Sequence, residues 1–65
     1  MSLGEKIKFA RKQKKMTQLE LAEILGIHKA TICYYENNAA LPSLPIFKHL
    51  CQLLNLSADE LLDLK

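Results

Sequence analysis

The feature that most constrains this chain is a very short connection between two helical patterns. The first pattern covers residues 18–25, and the second begins at about His28 or Lys29. Only Gly26, Ile27 and at most His28 remain for the connection. A link of this length is too short to return the chain as an antiparallel hairpin, so it forces the two helices to cross steeply.

The residues around this link fit such a crossing. Gly26 follows the first pattern, where a helix commonly ends on a residue with positive φ, and glycine adopts that conformation without strain. Ala22 is small where the two helices approach each other, while Ile27 and Ile32 are placed to fill the angle between them. The sequence therefore predicts a sharp turn at Gly26.

Helix start signals divide the rest of the chain. A hydroxyl residue followed three positions later by Glu is typical of a capping box, in which the two side chains satisfy backbone N–H groups. This pattern occurs at Ser2 and Glu5, at Thr17 and Glu20, and at Ser57 and Glu60. Together with the apolar spacing, it predicts five helices, over about residues 3–14, 18–25, 28–36, 44–54 and 58–64.

Composition agrees with an all-α fold in a single domain covering residues 1–65. Hydrophobic residues make up 49% of the chain, glycine and proline occur twice each, and no alternating strand pattern is present. A chain of this size buries only about 60% of the surface that its unfolded form exposes. A deep catalytic pocket would use apolar residues that the core needs, so we do not expect an enzyme.

Charge is distributed unevenly along the chain. Residues 1–15 contain six Lys and Arg and one Glu, a net charge of +5, whereas residues 16–65 contain three Lys and six acids, a net charge of −3. Such asymmetry in a small domain indicates that one surface meets a polyanion.

Five short sequence patterns occur at fixed spacings along the chain. They are Thr17-Gln18-x-x-Leu21-Ala22-x-x-Leu25-Gly26-Ile27, Thr31-Ile32, Glu36-Asn37, Pro42-Ser43-Leu44 and Ser57-x-Asp59-Glu60-Leu61. With these spacings the sequence resembles the phage-repressor and Cro type (Xre-like) of helix-turn-helix family over essentially the whole chain. The resemblance implies a five-helix, repressor-like DNA-binding domain whose helix-turn-helix comprises helices 2 and 3.

In that family the second of these helices lies in the DNA major groove and its N-terminal residues contact base edges. The helical wheel agrees, because Ile32 and Tyr35 define the buried side of residues 28–36. Lys29 can donate to guanine, and Tyr34 is long enough to reach a base or a phosphate. The predicted base contacts are Lys29, Ala30, Thr31 and Tyr34.

The resemblance also implies roles outside the recognition helix, which is the helix over residues 28–36 that is expected to lie in the major groove. Gln18 corresponds to a glutamine that contacts backbone phosphate, and Arg11 is expected to pair internally with Glu36. The further phosphate candidates are Lys14, Lys15 and Asn37. The turn after Glu36 carries no cation, and Asn38 stands where the family usually has glycine.

Proteins of this type and size usually dimerise, so that two recognition helices lie about 34 Å apart on a palindromic site. The predicted dimer interface consists of Leu41, Ile46, Leu53, Leu62 and Leu64.

Other chemistry finds little support in the sequence. His28 and His49 have no partners at metal-ligand spacing, so we expect no metal, cofactor or small-molecule ligand. Cys33 and Cys51 are expected to be reduced, and no apolar run approaches the about 18 residues of a membrane span. The sequence thus predicts a cytoplasmic, repressor-like transcriptional regulator that binds double-stranded DNA. The alternative is a protein-interaction module with the same fold, such as an antitoxin or anti-repressor.

Overall fold

The computed structural model describes residues 1–57 and 59–60. It contains four helices, α1 (Leu3–Gln13), α2 (Gln18–Leu25), α3 (Lys29–Glu36) and α4 (Leu44–Leu53). These bounds agree with the sequence expectations to within about a residue, and no strand occurs in the described part of the chain. The predicted count of five helices is not established, because the fifth, over 58–64, lies outside the described residues apart from the helical Asp59 and Glu60.

Two helices begin with complete capping boxes. At α1, Ser2 Oγ accepts from the Glu5 backbone N–H at 3.2 Å, and the Glu5 carboxylate accepts from the Ser2 backbone N–H at 3.1 Å. Thr17 and Glu20 form the same pair at α2, with distances of 3.0 and 2.8 Å. These bonds, chiefly those from the backbone N–H groups of Ser2 and Thr17, lower the pKa of both glutamates.

The third predicted box is represented by one bond, from the backbone N–H of Glu60 to Ser57 Oγ at 3.1 Å. Helix α4 begins differently. Ser43 occupies the N-cap position without a side-chain bond, and Pro45 lies in the first turn, where its missing N–H leaves no intrahelical bond unmade.

The turn between α2 and α3 has the predicted conformation. Gly26 ends α2 with φ 71°, and the backbone N–H of Ile27 then donates to the Ala22 carbonyl at 3.0 Å. Two asparagines and a lysine elsewhere also adopt positive φ, namely Lys15, Asn38 and Asn55. The chain leaves α2 abruptly, and α3 starts three residues later at Lys29.

Each helix contributes one fully buried aliphatic side chain to a common core. These are Ile7 of α1, Leu21 of α2, Ile32 of α3 and Leu50 of α4, all with 0% exposure. The surrounding buried apolar residues are Ala10, Ala22, Leu25, Tyr35 and Leu54. Because α3 packs against both α1 and α2 through one side only, its other side faces outward.

Cys33 and Cys51 are both unpaired thiols, and burial raises the pKa of the Cys51 thiol. Over residues 1–57 and 59–60, no helix has the length and apolar character needed to cross a lipid bilayer.

Candidate nucleic-acid interface

Helix α3 presents most of the predicted base-contact residues on its outer side. Lys29, Ala30 and Tyr34 are exposed, Tyr34 with 56% of its surface accessible, and Thr31 is half-buried. The opposite side holds Ile32, Tyr35 and Glu36 in the interior. The helix is therefore fixed by one face and open along the other, which allows it to lie against another molecule without unfolding.

The N-terminal end of α3 carries positive character. His28 is the N-cap residue but makes no side-chain capping bond, and the first turn contains Lys29 and no acidic residue. Backbone N–H groups at such an end point outward and carry a partial positive charge, which suits a phosphate or another acceptor.

The predicted phosphate contacts lie at two places. Lys14 and Lys15 are exposed in the turn between α1 and α2, immediately before Thr17 caps α2. Asn37 is exposed after α3, and its Nδ2 donates to Cys33 Sγ at 3.3 Å. Gln18 is half-buried, and its Nε2 donates inward to Glu36 Oε1 at 3.1 Å.

Behind this surface lies a buried ion pair. Arg11 Nε lies 2.7 Å from Glu36 Oε2, and Arg11 Nη2 donates to Glu36 Oε1 at 3.2 Å. Only 8% of the arginine side chain and 2% of the glutamate side chain are exposed. Arg11 Nη1 also donates to the Met16 carbonyl at 2.7 Å. Among the described residues, no buried side-chain N or O atom lacks a hydrogen-bond partner.

Two residues near this pair have roles that the sequence analysis did not assign. Asn38 accepts from the Gly4 backbone N–H and donates to Ser2 Oγ, which joins the start of α1 to the end of α3. At Gly4 an added Cβ would lie 2.5 Å from the carbonyl oxygens of Tyr35 and Glu36. The available signal was Asn38 itself, since asparagine tolerates the left-handed conformation and can bond locally.

The predicted dimer residues fall into three groups. Leu41 is 79% exposed, while Ile46 and Leu53 are half-buried and pack against the core. Leu62 and Leu64 lie outside the described residues. Leu44, which the sequence analysis did not name, is 84% exposed and lines a groove with Leu41. Part of the predicted interface therefore also serves the core.

Over residues 1–57 and 59–60, no group of three His, Cys, Asp or Glu side chains is placed to hold a metal ion. Glu5 and Glu20 belong to capping boxes and Glu36 belongs to the buried ion pair.

Comparison with known proteins decides the family. A model of the helix-turn-helix domain family matches residues 4–65. The chain belongs to this family. Its Xre-like, DNA-binding character, inferred from the motif between Thr17 and Ile27 together with the patterns that follow it, is confirmed. This helix-turn-helix domain is thus of a regulator type that is not enzymatic.

Individual relatives and neighbours agree with this assignment. The domain is 38% identical over 55 residues to the antitoxin PezA of Streptococcus pneumoniae and 44% identical over 55 residues to the antitoxin HipB of Escherichia coli O6:H1. Both alignments cover 85% of this chain, but only 35% of PezA and 58% of that HipB. The chain therefore spans between one third and three fifths of the length of these relatives.

A solved structure matches a larger share of both chains than these two relatives do. The biofilm regulator SinR, crystallised in complex with DNA, superimposes with a TM-score of 0.82 at 33% identity. The match covers 92% of this helix-turn-helix domain and 97% of the SinR chain.

Proposed function

We propose that this chain is a sequence-specific regulator of transcription that binds double-stranded DNA in the cytoplasm with α3 in the major groove. The observation that carries the proposal is the two-sided character of α3. Ile32 and Tyr35 anchor it to the core, while Lys29, Ala30 and Tyr34 lie exposed beside an electropositive helix end. The fold match to a DNA complex of SinR supports this docking.

The exposed side chains set the expected kind of specificity. Lys29 can donate to guanine, Thr31 can donate or accept, and the methyl group of Ala30 suits thymine. None of them has the planar group by which Arg, Gln and Asn make geometrically fixed bidentate contacts with a base, so we expect modest direct readout.

Affinity is proposed to depend chiefly on phosphate contacts. Lys14 and Lys15 lie together before α2, and Gln18 occupies the first position of α2. Asn37 lies just after the C-terminal end of α3. Contacts of this kind position a protein on the duplex and make its affinity depend on salt.

A dimer on a palindromic site completes the proposal, because two copies supply twice the contacts of one. The groove beside Leu41 and Leu44 is lined by apolar side chains of Leu3, Pro42 and Phe47. An exposed apolar patch of this kind is typical of an interface. We propose that Leu41 and Leu44 lie in the interface, together with Ile46, Leu53, Leu62 and Leu64.

The DNA-binding test uses selection of a preferred site from random duplexes, followed by fluorescence anisotropy on the selected duplex. Lys29→Glu is expected to weaken binding at least about tenfold, because it places a negative charge at the base edges. Lys48→Glu makes the same charge change on an exposed residue of α4 and should have a much smaller effect. Equal losses for the two variants, or selection without any preferred sequence, would contradict the proposal.

The dimer is tested by light scattering at high micromolar concentration. Leu41→Lys should shift the mass toward that of a monomer, whereas Leu19→Lys, on another exposed leucine, should leave it unchanged. A monomeric wild-type protein under these conditions would contradict the dimer.

A second candidate function follows from the relatives. PezA and HipB are named antitoxins, and this chain is 38% and 44% identical to them, respectively. We therefore also consider a module whose main role is binding a partner protein. Stable co-purification with one partner, together with no affinity for any duplex at low salt, would favour this function over the first.

A further inference from the structure

The side chain of Gln18 lies between the proposed DNA surface and the buried ion pair. Its Nε2 donates to Glu36 Oε1 at 3.1 Å, and the same oxygen accepts from Arg11 Nη2 at 3.2 Å. The Glu36 side chain is 2% exposed, whereas Gln18 is only half-buried. A single carboxylate therefore connects a buried cation to an amide that reaches the surface.

This carboxylate determines which way the amide faces. An ionised carboxylate only accepts hydrogen bonds, so only the NH₂ end of the Gln18 amide can face Glu36. That NH₂ group carries two hydrogens, and the bond to Glu36 uses one of them. The second N–H remains to donate to another acceptor at the first position of α2, where an anion is also favoured by the helix end.

We propose that Glu36 is a positioning residue for DNA binding, which orients the Gln18 amide so that its second N–H meets a backbone phosphate. This inference rests on the proposed function and extends it from the exposed contacts to the carboxylate behind them. Glu36 is itself held by Arg11, through bonds to both of its carboxylate oxygens. Arg11 of α1 is thereby coupled to a phosphate contact on α2.

The physical advantage is preorganisation. A glutamine side chain that moves freely loses rotamer freedom when it binds, and that loss weakens the complex. An amide already held by Glu36 has lost this freedom before DNA arrives. Removing Gln18 should therefore weaken binding more when Glu36 is present than when it is absent.

The test is a double-mutant cycle measured by fluorescence anisotropy with a labelled 20-base-pair duplex of mixed sequence at low salt. Gln18→Met removes the amide and keeps the side-chain length. It should weaken binding about tenfold in the wild-type background, since hydrogen bonds to charged groups are strong. In the Arg11→Met/Glu36→Met background, which removes the pair without leaving a buried charge, the loss should be about twofold.

Lys14→Met is the matched control. The Lys14 side chain is exposed and makes no hydrogen bond to Arg11 or Glu36. This substitution should weaken binding by the same factor in both backgrounds, as independent sites do. Thermal unfolding of every variant defines the folded fraction used in each binding curve.

A second measurement needs only the wild-type protein without DNA. NMR should detect a coupling through the hydrogen bond between Gln18 Nε2 and Glu36 Cδ. It should also show one Gln18 side-chain proton displaced downfield from those of the exposed Gln13 and Gln52. A merely structural role of Glu36 in folding would produce no coupling energy in DNA binding, while the NMR signature shows whether Glu36 holds the Gln18 amide before DNA binds.

The outcomes separate the inference from the function on which it rests. Equal losses for Gln18→Met in the two backgrounds, or Gln18 protons that coincide with those of Gln13 and Gln52, would overturn the positioning role alone. A wild-type protein with no affinity for the duplex at low salt would contradict the proposed function itself.

Discussion

Asn38 accepts a hydrogen bond from the backbone N–H of Gly4, with 3.0 Å between Oδ1 and N, although 34 positions separate the two residues. The amide of Asn38 also donates to Ser2 Oγ at 2.9 Å. The start of α1 is thus tied to the turn that follows α3. Because α3 carries the proposed base contacts, this link helps to fix its direction relative to α1.

Two substitutions at Asn38 separate its bonds from its backbone conformation, which has φ 60°. Asn38→Gly should reduce the free energy of unfolding by about 1–3 kcal/mol, because it removes both long-range bonds. Asn38→Ala should cost about 1 kcal/mol more, since alanine is strained in the left-handed region. Urea unfolding measures both variants, and a glycine variant as stable as the wild type would refute a role for these bonds.

Gly4→Ala should destabilise the protein by about 1–3 kcal/mol. The added Cβ would lie 2.5 Å from two backbone carbonyl oxygens, those of Tyr35 and Glu36, so α1 and α3 must move apart. The sign of the change in the free energy of unfolding is informative, because helix propensity alone would make Gly4→Ala stabilising by roughly 1 kcal/mol. Lys8→Ala, on the exposed side of the same helix, is the control and should have little effect in the same urea titration.

Arg11→Lys should lower the melting temperature by several degrees, corresponding to about 1–3 kcal/mol. Lysine keeps the charge but cannot reproduce the bidentate contact with Glu36 and the bond to the Met16 carbonyl together. Arg11→Met/Glu36→Met should recover much of the loss, because apolar residues can replace a buried pair without leaving a charge unpaired. An unchanged melting temperature for Arg11→Lys would argue against the structural role of the pair.

Lowering the pH should destabilise the protein at the N-terminal end of α2. Hydrogen bonds from Thr17 lower the pKa of Glu20 in the folded protein, so its carboxylate adds stability above the unfolded pKa of about 4.3. That contribution is lost as the pH falls through the lower, folded pKa. NMR titration of the Glu20 carboxyl should show the lowered pKa, and Glu20→Gln should reduce the acid sensitivity. A Glu20 pKa at or above the ordinary glutamate value of about 4.3 would contradict the expectation.

Lys14→Met should reduce the dependence of DNA affinity on salt. If Lys14 neutralises one phosphate, the slope of log K against log salt concentration should become shallower by about 1. The reduction should be the same on specific and non-specific duplexes, because a phosphate contact reads no sequence. Ala30→Ser is the complementary variant and should alter base preference while leaving the slope unchanged.

Local sequence signals specify where α1 and α2 begin and the turn that presents α3. Ser2 and Thr17 begin helices because a hydroxyl and a glutamate three residues later act within a single turn of chain. Gly26 ends α2 because a left-handed residue is needed there and glycine adopts it without strain. These signals are local, so neighbouring residues suffice to specify them. The resemblance then supplied the pairing of Arg11 with Glu36, which no local pattern contains.

The packing of the helices determined the other contacts between distant groups. Nothing in the sequence places Asn38 beside Gly4 or turns the Gln18 amide toward Glu36, because those contacts depend on how α1, α2 and α3 pack together. The same holds for apolar exposure, since Ile46 packs against the core while Leu44 remains exposed. Helical periodicity shows which residues share a face, but the neighbouring helices determine how much of that face they cover.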